Sequence, residues 1–419
     1  MRYKSVKGME DILPQDMWVW RRIEDVARKQ LESYGYREIR TPILEETRLF
    51  TRAIGEATDI VSKEMYTFTD RKGRQLTLRP EGTAPIARAY VEHSMDKISP
   101  IAMLYYIGSM FRSERPQKGR SRQFHQIGVE IIGTTLPVAD INVIIQLRNM
   151  LKSFGLRDFI IKLNSLGCSK DKDAFAEKLC GYLRDKEKLL CEDCRVRVKK
   201  NVLRVLDCKN ENCKKVLSKA PNIGDSLCGM CNKHFKEVKD MLEKLQIEFE
   251  EAKNLVRGLD YYTGTVFEVT HPALGSQDAI GAGGRYDNLV KEFGGPDVGA
   301  VGYALGIERI IMALGKIEEQ IPKTVFIATM GYEPKIMGLQ LAEEIRKKLK
   351  GITVFTDVKG SSLKSQFRNA DRNGARVVII IGEDELKSKK TTIRDMKSRE
   401  QVSVGMDTVI NEIEKRLGE

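Results

Sequence analysis

The final quarter of the chain alternates between β-rich and helical patterns, and this alternation limits its possible folds more than any other feature. Short apolar runs are each followed by a longer segment whose apolar residues have helical spacing. The predicted strands are TVFIATM, ITVFTDV and ARVVIII, and the predicted helices run from Pro334 to Leu349, from Ser362 to Asn373 and finally to Leu417. Strands joined through helices pack as parallel neighbours, so we expect a small, mainly parallel sheet covered by helices. A linker is predicted before it, from Lys316 to Lys323.

The rest of the chain has a different pattern, in which one helix precedes several short strands. After Pro14, apolar residues repeat at helical spacing as far as Tyr34 and stop at Gly35. Strands are predicted at Arg37–Ile39, Gln75–Arg79, Met103–Ser109, Gln123–Ile132 and Thr265–Thr270, and helices at Ala84–Glu92, Val138–Phe154 and Gly302–Leu314. Hairpins and helices both join these strands, which indicates a mixed sheet that is largely antiparallel.

A Lys-rich helical segment from about Cys168 to Glu250 interrupts this pattern and is predicted to be an insertion. Six of the eight cysteines lie between Cys191 and Cys231, at ligand-like spacings: Cys191 and Cys194, Cys208 and Cys213, and Cys228 and Cys231. A tetrahedral zinc needs four ligands, so at most four of these six could bind one structural zinc. The alternative is a reduced, cysteine-rich insertion without a metal.

Net charge and hydropathy exclude some classes of protein. The chain has 71 Lys and Arg against 59 Asp and Glu, a net charge of +12, which fits a polyanionic partner without proving one. Its apolar runs, such as Val377 to Ile381, are too short to cross a bilayer, so no membrane association is expected. The start, MRYKSVKGMEDILP, has no apolar signal core, and a cytoplasmic location is expected.

The segment FRSERPQKGRSRQFHQIGVEIIG, from Phe111 to Gly133, is predicted to form a strand, a polar loop and a second strand. The loop is rich in cations, and Gln126 and Glu130 alternate on the second strand, so both can point to one face. On composition alone it could be a solvated basic hairpin. However, the segment resembles motif 2 of class II aminoacyl-tRNA synthetases, in which an arginine, here Arg112, holds the α-phosphate of ATP.

Further stretches carry the same resemblance. VGYALGIERIIMAL is similar to motif 3, where Arg309 would stack on adenine, and TPILEETRLFTRAIGE, with Pro42, is similar to motif 1, which forms the dimer interface. RGLDYYTGTVFEV and GAGGRYDNLV resemble the two signatures of the histidyl-tRNA synthetase family, and LRPEGTAPIAR and VKGMEDILP follow its pattern too. The resemblance covers roughly residues 6 to 417.

The resemblance implies an α/β protein in four segments. Residues 1–167 and 251–318 would form an α+β catalytic domain with a mainly antiparallel sheet of class II synthetase type, interrupted by the helical, cysteine-bearing insertion 168–250. Residues 324–419 would form a C-terminal α/β anticodon-binding domain, and the 19 basic and 14 acidic residues from Lys323 onward suit contact with RNA.

The implied reaction is activation of L-histidine with ATP, followed by transfer of histidine to tRNA(His). ATP and Mg²⁺ would be required, and the family assembles as homodimers. A neutral imidazole offers one N–H donor and one acceptor nitrogen, so Glu130 would accept and the hydroxyl of Tyr262 would donate. Arg112 and Arg257 would be the catalytic cations, because adenylate formation adds charge to the α-phosphate.

The remaining implied roles fall into three groups. The α-ammonium would be held by Glu81, Thr83 and Gln126. The complete predicted histidine site is Glu81, Gly82, Thr83, Gln126, Glu130, Arg257, Tyr261, Tyr262 and Tyr286, and the predicted ATP site is Arg112, Glu114, Phe124 and Arg309. The tRNA acceptor end would lie against Gln117, Lys118, Arg120 and Arg122. The glycines 281, 283 and 284 would let the backbone approach the substrate.

Three alternatives remain at this point. His125 could be a general base, although the substrate carboxylate is itself the nucleophile, which favours a structural role. A synthetase-like regulatory subunit of histidine biosynthesis would share the catalytic fold but would lack the C-terminal domain and intact histidine signatures. An RNA-binding regulator without catalysis would be expected to have lost Arg112, Arg257 or Arg309, and all three are present.

Overall fold

The computed structural model describes residues 3–208, 210–275, 278–318 and 322–418. The chain divides into two compact units, Met1–Ile317 and Glu318–Glu419. Part of the predicted linker, residues 319–321, lies outside the described residues. Within the described ranges, no helix combines the length and the apolar character that crossing a membrane requires.

The first unit contains ten α-helices and eleven strands among its described residues. Its helices are α1 Met17–Ser33, α2 Thr47–Ile54, α3 Thr83–Glu92, α4 Pro137–Phe154, α5 Ser169–Leu183, α6 Glu192–Lys200, α7 Glu211–Leu217, α8 Gly229–Lys244, α9 Leu289–Glu292 and α10 Ile307–Leu314. Its strands are β1 Arg37–Glu38, β2 Leu44–Glu46, β3 Tyr66–Thr69, β4 Gln75–Leu78, β5 Ala102–Phe111, β6 Gln123–Ile132, β7 Ile160–Ser165, β8 Glu250–Glu251, β9 Thr263–Thr270, β10 Ala279–Arg285 and β11 Ala300–Gly306.

Most of these strands form one sheet, in the order β1-β5-β6-β11-β10-β9-β7-β8. The pairings from β5 to β7 are antiparallel, and the outermost pairs at both edges are parallel. This confirms the predicted largely antiparallel sheet. A smaller sheet, β2-β4-β3, is also antiparallel.

Helix α1 covers part of this sheet, and its sequence explains why. Val19, Trp20, Ile23, Ala27 and Leu31 recur every three or four residues, so they share one face and are buried in the core together with β6 and α4. The predicted first helix is therefore confirmed in position.

The predicted helix from Gly302 to Leu314 is wrong in its first turn. Ala300–Gly306 is strand β11, which pairs with both β6 and β10, and α10 begins only at Ile307. Residues buried on both faces of a central strand give no period-two pattern, so the sequence resembled a continuous apolar helix.

The segment between β7 and β8 is helical and consists of α5 to α8 with short 3₁₀ turns between them. Its two flanking strands, β7 and β8, are neighbours in the large sheet. The insertion therefore leaves and rejoins the sheet at adjacent strands.

The second unit has a five-stranded sheet with helices and its own core. Its strands are β12 Lys323–Thr329, β13 Ile352–Thr356, β14 Val377–Ile381, β15 Lys390–Asp395 and β16 Gln401–Gly405, and its helices are α11 Tyr332–Lys348, α12 Leu363–Arg372, α13 Glu383–Ser388 and α14 Val409–Gly418. The predicted α/β alternation is confirmed as far as β14.

The sheet of the second unit is mixed, where the sequence predicted a mainly parallel one. In the order β13-β12-β14-β15-β16, the first two pairings are parallel and the last two antiparallel. The hairpin β15–β16 stands where the final predicted helix would have begun. Its buried positions include Thr391 and Asp395 beside Ile393, so apolar periodicity did not reveal it.

Candidate active site

The centre of the large sheet presents a shallow floor made by residues that lie side by side on neighbouring strands. Tyr106 on β5 pairs with Gly128 on β6, which pairs with Ala304 on β11, then Ala282 on β10 and Glu268 on β9. Directly paired residues of antiparallel strands point to the same face. Small residues between a tyrosine and a carboxylate therefore leave room for a ligand above the sheet.

A cavity of about 340 Å³ lies over this floor. Most of the predicted histidine- and ATP-site residues line it, namely Glu81, Thr83, Arg112, Glu114, Phe124, Gln126, Arg257, Tyr261, Tyr262 and Arg309. Arg120 also lines it, whereas Gly82, Glu130, Tyr286, Gln117, Lys118 and Arg122 do not. Within the described residues, Tyr106 Oη, Gln126 Oε1 and Arg257 Nε are buried here without a hydrogen-bond partner, so the cavity suits a polar ligand.

The two predicted catalytic arginines are held by different contacts. Arg112, just beyond β5, donates from Nε to the carbonyl of Pro80 at 3.0 Å, and its guanidinium lies 5.3 Å from the centre of the Phe124 ring. Arg257 forms an ion pair of 3.0 Å with Glu268 and lies 5.7 Å from the centre of the Tyr262 ring. Both cations are thus oriented before a ligand binds.

Glu81 is fixed at the beginning of helix α3. Its carboxylate accepts hydrogen bonds from the backbone N–H groups of Thr83 at 2.7 Å and Ala84 at 2.9 Å, and from the hydroxyl of Tyr261 at 3.4 Å. Burial raises the pKa of the Glu81 carboxyl despite these donors. A ligand ammonium beside Glu81 would favour the ionised form.

Glu130 lies beneath the lining residues and is only 1% exposed. It accepts hydrogen bonds from the hydroxyls of Tyr286 at 2.6 Å and Thr83 at 2.8 Å. Burial raises the pKa of Glu130 to about 8, and the two hydroxyl donors only partly oppose this shift. The site therefore contains a carboxyl whose charge depends on pH near neutrality.

We expect the Glu130→Gln substitution to stabilise the ligand-free chain increasingly as pH rises from about 5 to about 8. Between these values the folded state keeps a proton that the unfolded chain has released, so raising the pH lowers the free energy of unfolding of the parent. Each unit of pKa difference is worth about 1.4 kcal/mol, which gives an expected difference of a few kcal/mol at pH 9.

Denaturant unfolding of both proteins across this pH range measures the effect. The Glu130→Gln curve should diverge from that of the parent above about pH 5 and run parallel to it above about pH 8. Curves that stay parallel throughout would show that Glu130 ionises normally in the folded chain.

The loop between β5 and β6 ends in a tight turn and is held by internal hydrogen bonds. Gln117 and Arg120 exchange backbone hydrogen bonds, and the Arg120 side chain pairs with Glu114 at 3.0 Å. Arg122 donates to the carbonyls of Glu114 and Lys7, so it ties the loop to the N-terminal segment. Gln117 and Lys118 are exposed at the tip.

Arg309, at the beginning of α10, donates from Nη1 to the carbonyl of Ala279 at 2.6 Å. Burial lowers the pKa of its guanidinium. Arg309 and Phe124 both belong to the cavity wall, as the predicted adenine site requires.

His125 contacts structural neighbours. Its Nδ1 lies 2.9 Å from Glu308, its backbone N–H donates to the same carboxylate, and its ring packs edge-on against Trp20. The expected structural role of His125 agrees with these contacts.

The sequence did not single out several residues that the structure brings to the site. Tyr106 forms one end of the floor, and Gly128 is required beside its ring because a Cβ there would overlap it, as would a Cβ on Gly82 of the predicted histidine site. Glu268 orients Arg257, and Arg204 of the insertion donates to the Arg257 carbonyl at 3.4 Å. An acidic residue within the apolar run TGTVFEV was the available signal for Glu268.

The signature glycines serve protein packing as well as the cavity. A Cβ at Gly283 or Gly284 would overlap the neighbouring strands β11 and β9, and Gly284 has φ +155°. Only Gly281 of the three lines the cavity. These glycines were predicted to let the backbone approach the substrate. In the structure they mainly allow neighbouring strands to approach one another.

The six predicted cysteine ligands divide between two clusters. Cys191, Cys194, Cys208 and Cys213 lie together, whereas Cys228 and Cys231 lie with two residues that the sequence analysis did not consider, Cys168 and Asp171. The Cys-x2-Asp spacing of Cys168 and Asp171 was the sequence feature that could have identified them as ligands.

Comparison with known proteins identifies the family. A family model described as Histidyl-tRNA synthetase matches residues 8–310, and a model described as Anticodon binding domain matches residues 324–416. The chain belongs to the histidyl-tRNA synthetase family. Residues of both histidine signatures thus line, or lie directly beneath, the cavity of a histidyl-tRNA synthetase fold.

Relatives support this membership along the whole chain. The histidine–tRNA ligase of Thermosipho melanesiensis is 47% identical over 412 residues, which cover 97% of each chain. That of Syntrophomonas wolfei is 46% identical, with 99% of this chain and 98% of the relative covered. The apo S. aureus histidyl-tRNA synthetase superposes with a TM-score of 0.80 at 34% identity and covers 98% of this chain and all of that one.

Proposed function

We propose that this chain activates L-histidine with ATP, releases pyrophosphate, and transfers the histidyl group to tRNA(His). Membership of the family makes it a histidine–tRNA ligase, a class II aminoacyl-tRNA synthetase that uses ATP. The observation that carries the assignment of the site is the polar cavity in which Glu81, Arg112, Arg257 and Arg309 converge over a floor of small residues.

In this proposal histidine lies over Ala282 and Ala304. Its α-ammonium faces Glu81, Thr83 and Gln126, whose Oε1 is buried without a partner among the described residues. Its imidazole extends toward Tyr262 and Glu130, with Tyr261 and Tyr286 packed around them. Polar groups at both imidazole nitrogens would reject apolar side chains of the same size, because burying them unpaired is costly.

ATP binds at the other side of the cavity, with adenine between Phe124 and Arg309. Carboxylates of the lining, among them Glu64 and Glu114 near Arg112, provide the oxygen ligands that Mg²⁺ prefers. Mg²⁺ supplies charge neutralisation on the polyphosphate when bound.

The chemical step needs cations more than it needs a base. The histidine carboxylate attacks the α-phosphorus, the bond to the bridging oxygen of pyrophosphate breaks, and negative charge accumulates on the α-phosphate oxygens. Arg112 and Arg257 stabilise that charge with donors that are already oriented. In the second step a ribose hydroxyl of the tRNA terminus attacks the histidyl carbonyl and AMP leaves.

The tRNA contacts two parts of the chain in this proposal. The exposed tip of the β5–β6 loop, with Gln117 and Lys118, meets the acceptor end, supported by Arg120 and Arg122 at its base. The second unit contacts the anticodon. The homodimer would form through the motif 1 region, where Ile43 and Leu44 are 47% and 41% exposed.

Amino-acid-dependent ATP–pyrophosphate exchange tests the proposed function. Exchange should depend on histidine and remain at background with each of the other nineteen amino acids, and charging should require tRNA(His). Exchange with a different amino acid, or none with histidine, would contradict the proposal. The regulatory-subunit alternative has no specific support, since a solved structure that carries that description is only 23% identical and shows the fold alone.

A further inference from the structure

The insertion contains two compact groups of metal-ligating side chains that the proposed reaction does not use. We call them the four-cysteine cluster, made of Cys191, Cys194, Cys208 and Cys213, and the cysteine–aspartate cluster, made of Cys168, Asp171, Cys228 and Cys231. Within each cluster the potential ligand atoms all lie within 4.8 Å of one another.

The four-cysteine cluster has the dimensions of a tetrahedral zinc site. A Zn–S bond of about 2.3 Å and a tetrahedral angle place the ligand sulfurs about 3.8 Å apart. The Sγ atoms of Cys191 and Cys208 are 3.8 Å apart. Iron–sulfur clusters fit less well, because the cluster itself would have to occupy the space between the four sulfurs.

Backbone donors around the four-cysteine cluster favour sulfur in the thiolate form. The N–H of Cys191 donates to Cys213 Sγ at 3.2 Å, and the N–H of Asn210 donates to Cys208 Sγ at 3.4 Å. Such donors delocalise the charge of metal-bound thiolates and orient them. Cys194 and Cys213 are fully buried, and thiolates buried in this way are costly unless cations neutralise them.

The ligands of the cysteine–aspartate cluster lie at helix N-termini, as one pair of the four-cysteine cluster does. In the cysteine–aspartate cluster, Cys168 and Cys228 are the N-cap residues of α5 and α8, and Asp171 and Cys231 are the third residues of these helices. In the four-cysteine cluster, Cys191 and Cys194 have the same positions in α6. Two helix N-termini therefore meet at the cysteine–aspartate cluster, and their positive ends favour anionic ligands. Asp171 accepts from the N–H groups of Cys168 and Cys228, which holds the two pairs together.

We propose that the insertion binds two structural zinc ions, one at the four-cysteine cluster and one at the cysteine–aspartate cluster. The first ion fastens the segment that carries Arg204 and Asn201, which contact the Arg257 carbonyl and Asp260 beside the cavity. The second ion joins the beginning of the insertion to its last helix, next to the end of β7. In this proposal, zinc stabilises the fold of the insertion and thereby positions the backbone at Arg257.

Metal analysis of the full-length chain tests this proposal directly. Protein purified without chelators from zinc-supplemented cells should contain about two zinc ions per chain by mass spectrometry of the metal. Cys213→Ser and Cys231→Ser should each lose about one ion, and the matched control Cys180→Ser, which changes a cysteine outside both clusters, should lose none. Replacement with cobalt should give the thiolate-to-metal absorption of tetrahedral sites.

Each other outcome overturns part or all of the proposal. If Cys213→Ser loses zinc and Cys231→Ser does not, the cysteine–aspartate cluster has no zinc, and the reverse result removes the four-cysteine site. If the parent protein contains less than about 0.2 zinc per chain, both sites are overturned. This holds whether its cysteines titrate as free thiols or form disulfides. Iron in place of zinc would overturn the identity of the metal.

Discussion

Replacing Arg257 with alanine should reduce histidine-dependent ATP–pyrophosphate exchange by about a hundredfold to a thousandfold, because removing one oriented donor to a developing charge typically costs this much. The substitution removes a cation that Glu268 and the insertion hold against the cavity. Arg257→Lys keeps the charge but loses the planar pair of donors, so an intermediate loss is expected.

Two controls separate chemistry from folding in this experiment. Arg22→Ala changes an arginine on the exposed side of α1 and should leave exchange unchanged. Thermal unfolding should show that Arg257→Ala keeps a cooperative transition. An Arg257→Ala exchange rate within about threefold of the parent, less than ~1 kcal/mol in transition-state stabilisation, would contradict the catalytic role.

Removal of residues 324–419 should lower tRNA charging by about a hundredfold or more in kcat/KM, equivalent to roughly 2.7 kcal/mol. Histidine activation should stay within a few-fold of the parent. The described lining of the cavity belongs entirely to the first unit. The second unit has more basic than acidic residues, which suits contact with RNA phosphates.

The truncated chain provides its own control, because exchange and charging are measured on the same preparation. Circular dichroism and unfolding of the first unit should remain cooperative. Equal losses in exchange and charging by a folded truncated chain would show that the second unit supports the active site as well as the tRNA.

The sequence predicted those parts of the fold whose periodicity follows from burial on one face. Helix α1 was placed within a few residues because its apolar positions recur there with a clear helical period. Strand β11 and the hairpin β15–β16 were missed for opposite reasons. The first is buried on both faces, and the second buries Thr391 and Asp395.

The site could be predicted where a local motif carries the chemistry, and it could not where distant segments meet. Arg112, Arg257 and Arg309 stand in recognisable stretches, and all line one cavity. The support of Arg257 by Arg204 depends on the folding of the insertion, and the alignment of Tyr106 with Glu268 depends on the register of five strands. Neither can be deduced from spacing along the chain.

The pairing of β6 with β11 also determines the order in which the sheet can assemble on the ribosome. Strands β5 and β6 are close in sequence and can pair as soon as both have emerged, but β11 begins only at Ala300. At 5–20 residues per second, about 170 further residues take roughly 10–30 s to synthesise. During that interval one side of β6, with its apolar residues Ile127, Val129, Ile131 and Ile132, is an open strand edge on the nascent chain. The strand that carries Gln126 and Glu130 is therefore also a strand that needs protection from aggregation before synthesis is complete.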